Sequence, residues 1–149
     1  METLRKRLVD VALEWEQAFG SAPHITAALS EFDAAQLVGF SLADYCESMK
    51  AATAVQRGFD FRIESARYQV KANRPSGKPG SSVTLVPKAK NYEWDFLIWI
   101  LYNHTFEIEE GWLWEVEPYR VAFDAASMAC RIRSLAVSIN SAICRSILA

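Results

Sequence analysis

The sequence predicts a single α/β domain over residues 1–149, with helices before a central mixed β-sheet and a further helix after it. Three observations support this class: helical spacing of apolar residues near the N-terminus, strict alternation in the segment 58–71, and an unbroken apolar run from Phe96 to Leu101. A 149-residue chain that is 51% hydrophobic and 23% charged can bury a full core. The composition therefore excludes disorder as the main state.

The N-terminal third predicts three helices. In the first, apolar residues recur at spacings of three and four and Gly20 ends the pattern: Leu4, Leu8, Val11, Trp15 and Phe19. A second pattern runs from about Ile25 to Val38 and is closed by Gly39. A third candidate helix runs from Leu42 to about Thr53.

Two alternating segments, 58–63 and 67–71, predict half-buried strands that form a hairpin. If Ser65–Ala66 is the two-residue loop, Asp60 lies opposite Lys71 and one face of the hairpin is apolar. The other face then carries three side chains with metal or phosphate chemistry: Asp60, Gln69 and Lys71.

The second half of the chain predicts the rest of the sheet. Val83–Val86 is a candidate short strand, and Phe96–Leu101 is typical of a strand buried on both faces. Alternation resumes over residues 106–116 and indicates one or two more strands. A last helix is expected to begin after Pro118 and to cover much of Phe123–Ile147.

The charges are strongly segregated, although the net charge is only −2. Residues 57–90 hold eight basic and two acidic residues, whereas residues 91–119 hold seven acidic residues and no Lys or Arg. A basic block of this kind favours a polyanionic partner such as DNA. Pairing of the two blocks within the fold explains the pattern equally well.

Cysteine usage and apolar runs bear on the compartment. Three widely spaced cysteines without a Cys-x-x-Cys pair argue against a disulfide framework or a zinc site. No apolar run follows the N-terminal Met-Glu-Thr-Leu-Arg-Lys-Arg, so no signal peptide is expected. Charges interrupt the apolar tail, which predicts an amphipathic helix rather than a membrane span. These features predict a cytoplasmic protein without a membrane partner.

The polar face of the hairpin has the chemistry of a metal-dependent phosphodiesterase. Asp60 can supply a hard oxygen ligand to Mg²⁺ or Mn²⁺, and Gln69 a neutral carbonyl oxygen. Lys71 can hold the attacking water or stabilise phosphate charge. A further carboxylate must come from the preceding helices, which offer four candidates: Glu31, Asp33, Asp44 and Glu47. In the simpler alternative, Asp60–Lys71 and Glu64–Arg67 are cross-strand pairs contributing about 0.2–1 kcal/mol each.

Asp60 followed by Gln69-Val70-Lys71 resembles the signature of the PD-(D/E)XK superfamily of restriction-endonuclease-like nucleases, in the form where Gln replaces the second acid. Further segments resemble a small uncharacterised group of that superfamily: residues 25–39, Arg57–Asp60, Lys78–Gly80, Glu93–Asp95 and the strand ending in Leu101-Tyr102. The resemblance covers roughly residues 25–116.

This resemblance implies a restriction-endonuclease-like core and a Mg²⁺- or Mn²⁺-dependent endonuclease that hydrolyses DNA. It implies that Glu31 joins Asp60 and Gln69 at the metal, with Glu47 as the second candidate for the helix-borne acid. Lys71 would position water and stabilise the transition state. The expected phosphate contacts are basic residues of the charged block: Arg74, Lys78, Lys88 and Lys90.

Two other functions remain open at this stage. One is a catalytically inactive nucleic-acid-binding or accessory domain on the same fold. The other is a structural or interaction protein whose apolar tail helix forms a partner surface or a homodimer seam.

Overall fold

The computed structural model describes residues 2–51, 58–76, 89, 91–125 and 137–138. In chain order the elements are α1 (Glu2–Phe19), α2 (Thr26–Leu37), α3 (Leu42–Ala51), β1 (Phe61–Ile63), β2 (Ala66–Asn73), β3 (Phe96–Tyr102), β4 (Ile108–Glu115), α4 (Val116–Ala125) and β5 (Val137–Ser138). This arrangement is a mixed sheet with helices before and after it, which confirms the predicted α/β class.

The strands of the sheet lie in chain order, β1-β2-β3-β4-β5. The pair β2–β3 is parallel, from Tyr68 opposite Phe96 to Asn73 opposite Leu101, and the other three pairs are antiparallel. Strand β3 is buried almost throughout, as its unbroken apolar sequence predicts. The hairpin β1–β2 therefore lies at one edge of the sheet.

The predicted hairpin loop at Ser65–Ala66 is wrong by one position. The chain turns at Glu64–Ser65, where Glu64 has a φ of 53°, and Phe61 lies opposite Tyr68. Pairing shifts by two residues, and because side chains alternate with a period of two, every side chain keeps its predicted face. Extending this register by one residue brings Asp60 beside Gln69 instead of opposite Lys71.

Apolar cores cover both faces of the sheet. On one face, α2 and α3 pack over alternate residues of β1, β2 and β3: Phe61, Tyr68, Val70, Ile98, Ile100 and Tyr102. On the other face the buried cluster consists of Ala89, Trp94, Leu97, Trp114 and Tyr119. The side chains of Gln69 and Lys71 belong to this second face, because they alternate with Tyr68 and Val70.

Helix α1 forms where its apolar spacing predicts, but the predicted stripe faces solvent. Its buried side chains are Val9 and Ala12, which pack with Leu29 and Phe106. The stripe itself is 39–67% exposed at each position: Leu4, Leu8, Val11, Trp15 and Phe19. Periodicity thus identified the helix without identifying the face that the core uses.

The predicted bounds of the last helix are wrong. This helix begins at Val116, ahead of Pro118, and Val137–Ser138 pair with β4 as a strand instead of continuing it. Residues 106–116 contain one strand, within the predicted one or two, because Phe106 lies in a turn with a φ of 62°. The candidate strand Val83–Val86 lies outside the described residues. Within the described part of the chain, every helix is too short or too polar to cross a bilayer.

Candidate functional site

Asp60 directly precedes β1, at the end of the pairing between β1 and β2. Strand pairing ends at Phe61 and Tyr68, so the next N–H on that side of β2, that of Val70, lacks a strand partner. The Asp60 carboxylate takes its place, because Oδ2 accepts the Val70 N–H at 2.6 Å and a second bond from Gln69 Nε2. These two donors fix the orientation of the carboxylate on a rigid strand.

A close backbone approach positions the segment that leads into Asp60. Gly58 has a φ of +94°, and a Cβ built there would lie 2.8 Å from Glu93 Cβ. Only glycine fits this conformation and this contact without strain. Two of the segments that resemble the nuclease group, around Gly58 and around Glu93, are therefore neighbours in space.

Glu31 lies on α2, which packs over the face of the sheet opposite to Gln69 and Lys71. The helix packs Ala34 and Ala35 against the sheet, and Glu31 lies one turn earlier and half-buried. Within the described part of the chain its carboxylate makes no hydrogen bond or ion pair. Burial raises its pKa, and the negative charge of Asp60 raises it further. The two carboxylates are thus within electrostatic reach of each other.

Lys71 provides positive charge beside Asp60. Burial raises the pKa of Asp60, and three neighbours oppose this: the Val70 N–H, the Lys71 ammonium and the Gln69 amide. Lys71 is half-exposed and, among the described residues, its ammonium has no hydrogen bond or ion pair. Charged groups that are partly buried and unpaired are costly to a fold and typical of functional sites.

Several oxygen atoms near Asp60 lack a hydrogen-bond donor among the described residues. Asp60 Oδ1, Gln69 Oε1 and both oxygens of Glu31 accept no hydrogen bond from the residues that the structure describes. Mg²⁺ is bound through one or two carboxylates, with waters and phosphate oxygens completing six ligands. The described residues contain no cluster of three or more His, Cys, Asp or Glu that could hold a metal ion.

The other candidate acids on the helices are engaged or remote. Asp33 is buried in a pair with Arg5, at 2.6 Å, and accepts the Tyr102 hydroxyl at 2.7 Å. Asp44 lies at the exposed start of α3, where it accepts the Ser41 hydroxyl. Glu47 is 80% exposed and lies 3.7 Å from Lys50. The geometry therefore favours Glu31 over Glu47.

Arg74, predicted to contact phosphate, is directed into the protein. Its guanidinium pairs with Glu16 at 2.5 Å, donates to the His104 carbonyl and lies 4.1 Å from the centre of the Phe106 ring. The side chain is only 7% exposed, so these contacts give it a structural role. Lys78, Lys88 and Lys90 lie outside the described residues.

Sequence reasoning overlooked two residues near the site. Tyr45 is buried in the core, and burial and then the charge of Glu31 raise its pKa to about 12, with a smaller contribution from Asp60. Arg62 is exposed on the same face as Gln69 and Lys71, with its guanidinium 5.2 Å from the centre of the Phe59 ring. Its alternation with Phe61 and Ile63 was the available signal.

Part of the charge segregation is satisfied within the fold. Arg67, from the basic block, forms a two-pronged ion pair with Asp95 from the acidic block, with one bond of 3.0 Å, and this lowers the pKa of Asp95. Arg62 and Lys71 have no such ion pair with described residues. Internal pairing thus accounts for two cations of the block, Arg67 and Arg74, and leaves Arg62 and Lys71 without an ion pair among the described residues.

Comparison with known proteins adds no relative. A scan of the chain against models of known protein families finds no match, and a search of curated proteins finds no significant similarity. The function of this protein must therefore be inferred from the geometry of its site.

Proposed function

We propose that this protein is a metal-dependent phosphodiesterase that hydrolyses DNA as an endonuclease of the PD-(D/E)XK type. The observation that supports the proposal is that Asp60, held by the Val70 N–H and the Gln69 amide, lies beside the charge of Lys71 and within electrostatic reach of Glu31 from α2. A solvated strand face with simple cross-strand pairs would not explain a half-buried acid, Glu31, and a half-buried lysine, Lys71, that both lack a pairing partner among the described residues.

Each residue has a distinct role in this proposal. Asp60, Glu31 and the carbonyl of Gln69 would hold Mg²⁺ or Mn²⁺, which supplies Lewis acidity and neutralises phosphate charge. The Val70 N–H and the Gln69 amide keep Asp60 in position. Lys71 orients the attacking water and stabilises negative charge that develops on phosphate oxygens.

DNA is the proposed substrate because the resemblance and the charge pattern agree. Arg62, exposed on the same sheet face as Lys71, replaces Arg74 as a proposed phosphate contact. Lys78, Lys88 and Lys90 stay predicted contacts from the sequence. Binding through several such cations releases counterions, so affinity should fall steeply as salt rises.

The direct test is cleavage of supercoiled plasmid with Mg²⁺ or Mn²⁺, comparing the unsubstituted protein with Asp60→Asn and Lys71→Met. We expect each substitution to reduce the cleavage rate by about 100-fold or more, because each removes a group acting on the scissile phosphate. Matched controls are Asp44→Asn and Lys50→Met, which remove an exposed acid and an exposed lysine from α3. Both should cleave at the unsubstituted rate.

One feature favours a second function, a nucleic-acid-binding domain without catalysis. Gln69 stands where a second carboxylate would strengthen cation binding, so the site holds less negative charge. Salt-dependent DNA binding without cleavage by either metal would support this alternative. Absence of both binding and cleavage would contradict both functions.

A further inference from the structure

Helix α1 presents an apolar surface that the rest of the described fold does not cover. Five of its large apolar side chains are exposed, with Val11 at 60% and Trp15 at 51%. The helix is held to the domain by its other side, through Val9, Ala12 and the Arg5–Asp33 pair. An uncovered apolar stripe of this length marks an interaction surface.

The first four residues of the stripe have the spacing of a coiled-coil seam. Counting Leu8 and Trp15 as a positions places Leu4 and Val11 at d positions; Ala18 takes the next d position, and Phe19 lies beside it at an e position. From Leu4 to Ala18 the a and d positions therefore recur every 3.5 residues, which is the period that keeps a seam facing a partner helix. Such a seam favours an α-helix as the occupant.

Charges beside the seam identify the partner. The g positions on the solvent side are Arg7 and Glu14, which are both exposed and make no hydrogen bond or ion pair with the described residues. In an antiparallel pair, g residues face g residues of the partner. Arg7 of each copy then lies opposite Glu14 of the other, which gives two ion pairs per dimer. In a parallel pair, g residues face e residues, and Arg7 would meet Ala12.

We infer that α1 is the seam of an antiparallel homodimer, with its two-fold axis close to Val11. The surface is self-complementary, as a two-fold interface requires. The inference goes beyond the proposed nuclease function and does not depend on it. It also differs from the dimer seam that the sequence suggested in the tail helix, most of which lies outside the described residues.

Charge reversal provides the decisive test. The dissociation constant of the dimer is measured by sedimentation of the full chain. The concentrations run from roughly micromolar to several hundred micromolar, the range expected for a small interface. Arg7→Glu and Glu14→Arg should each weaken the dimer about tenfold or more, since each turns two attractive pairs into repulsive ones. The double variant should regain the original affinity. Gln17→Arg, an exposed change outside the seam, should leave the affinity unchanged.

Cross-linking reports the orientation of the helices. Val11→Cys, close to the axis, should give a covalent dimer on mild oxidation, above the background of the native cysteines. Leu4→Cys should not, because in an antiparallel pair the two positions are about 20 Å apart along the helix. Efficient cross-linking at position 4 would indicate a parallel pair and overturn the inference.

Val11→Asp separates a dimer from a surface covered within the chain. We expect it to make the protein monomeric while the free energy of unfolding of the monomer is unchanged. A monomer at every concentration before substitution would contradict the inference. So would a dimer that Val11→Asp leaves intact, or a Val11→Asp protein whose main defect is lower stability.

Discussion

Two carboxylates on α2, only two residues apart, have opposite surroundings. Asp33 is buried, and both its oxygens accept hydrogen bonds: the Arg5 guanidinium donates to each of them, and the Tyr102 hydroxyl donates to Oδ2. Glu31 is half-buried, accepts no hydrogen bond from the described residues, and faces the negative charge of Asp60. The helix thus carries one acid that stabilises the fold and one that costs stability.

The contrast explains why Asp33 stabilises the core and why Glu31 is the acid that we propose for ligand binding. Arg5 also donates to the carbonyl of Phe106 at 3.0 Å, so the Asp33 cluster ties α1, α2 and the β3–β4 turn together. Glu31 makes no comparable hydrogen bond or ion pair within the part of the chain that the structure describes. A carboxylate held near another without a cation is stabilised only when a cation or a proton arrives.

The largest expected effect is that of Asp33→Asn, which should lower the free energy of unfolding by about 3 kcal/mol. The substitution keeps the shape but leaves the partly buried Arg5 guanidinium without its counter-charge. Urea denaturation followed by tryptophan fluorescence measures the change. A loss of less than about 1 kcal/mol, typical of an exposed ion pair, would remove the contrast with Glu31.

Glu31→Gln should have the opposite sign and raise the free energy of unfolding by about 1 kcal/mol at neutral pH, while cleavage is lost. Because burial and Asp60 raise the Glu31 pKa above its ordinary 4.5, the folded state binds this proton more tightly than the unfolded state. Stability of the unsubstituted protein therefore falls as pH rises from 4.5 through the folded pKa. In Glu31→Gln this part of the loss of stability with rising pH is absent.

Denaturation curves at several pH values should show the advantage of Glu31→Gln growing between acid and neutral pH. A variant that is less stable than the unsubstituted protein at neutral pH would mean that Glu31 has a stabilising partner. Addition of Mg²⁺ should stabilise the unsubstituted protein more than the variant, because binding to the folded state shifts the unfolding equilibrium.

Glu47→Gln should have the smallest effect and serves as the matched control for Glu31→Gln. Its side chain is 80% exposed and its pairing with Lys50 is loose, so stability should change by less than about 0.5 kcal/mol. Cleavage should proceed at the unsubstituted rate. Loss of cleavage in Glu47→Gln with retention in Glu31→Gln would reverse the assignment of the helix-borne acid.

Local pattern was enough to predict most elements and the polar residues of the hairpin. The prediction that Gln69 and Lys71 share a face of the sheet came from alternation alone. It is correct although the predicted loop position is wrong by one residue. The exposed face of α1 and the ion-pair partner of Arg74 could not be predicted from local pattern. Helical spacing does not say which of two apolar faces is covered, and a basic residue in a loop carries no mark of a distant partner such as Glu16.

The sequence by itself determined the α/β class, the order of helices and strands in the first two thirds, and the grouping of Asp60, Gln69 and Lys71. These features depend on periods of two and 3.6 residues, which are local. Tertiary structure decided that Glu31 rather than Asp33 or Glu47 faces Asp60, and that the stripe on α1 stays exposed. Such choices depend on how elements distant in sequence pack and on which charges that packing removes from water.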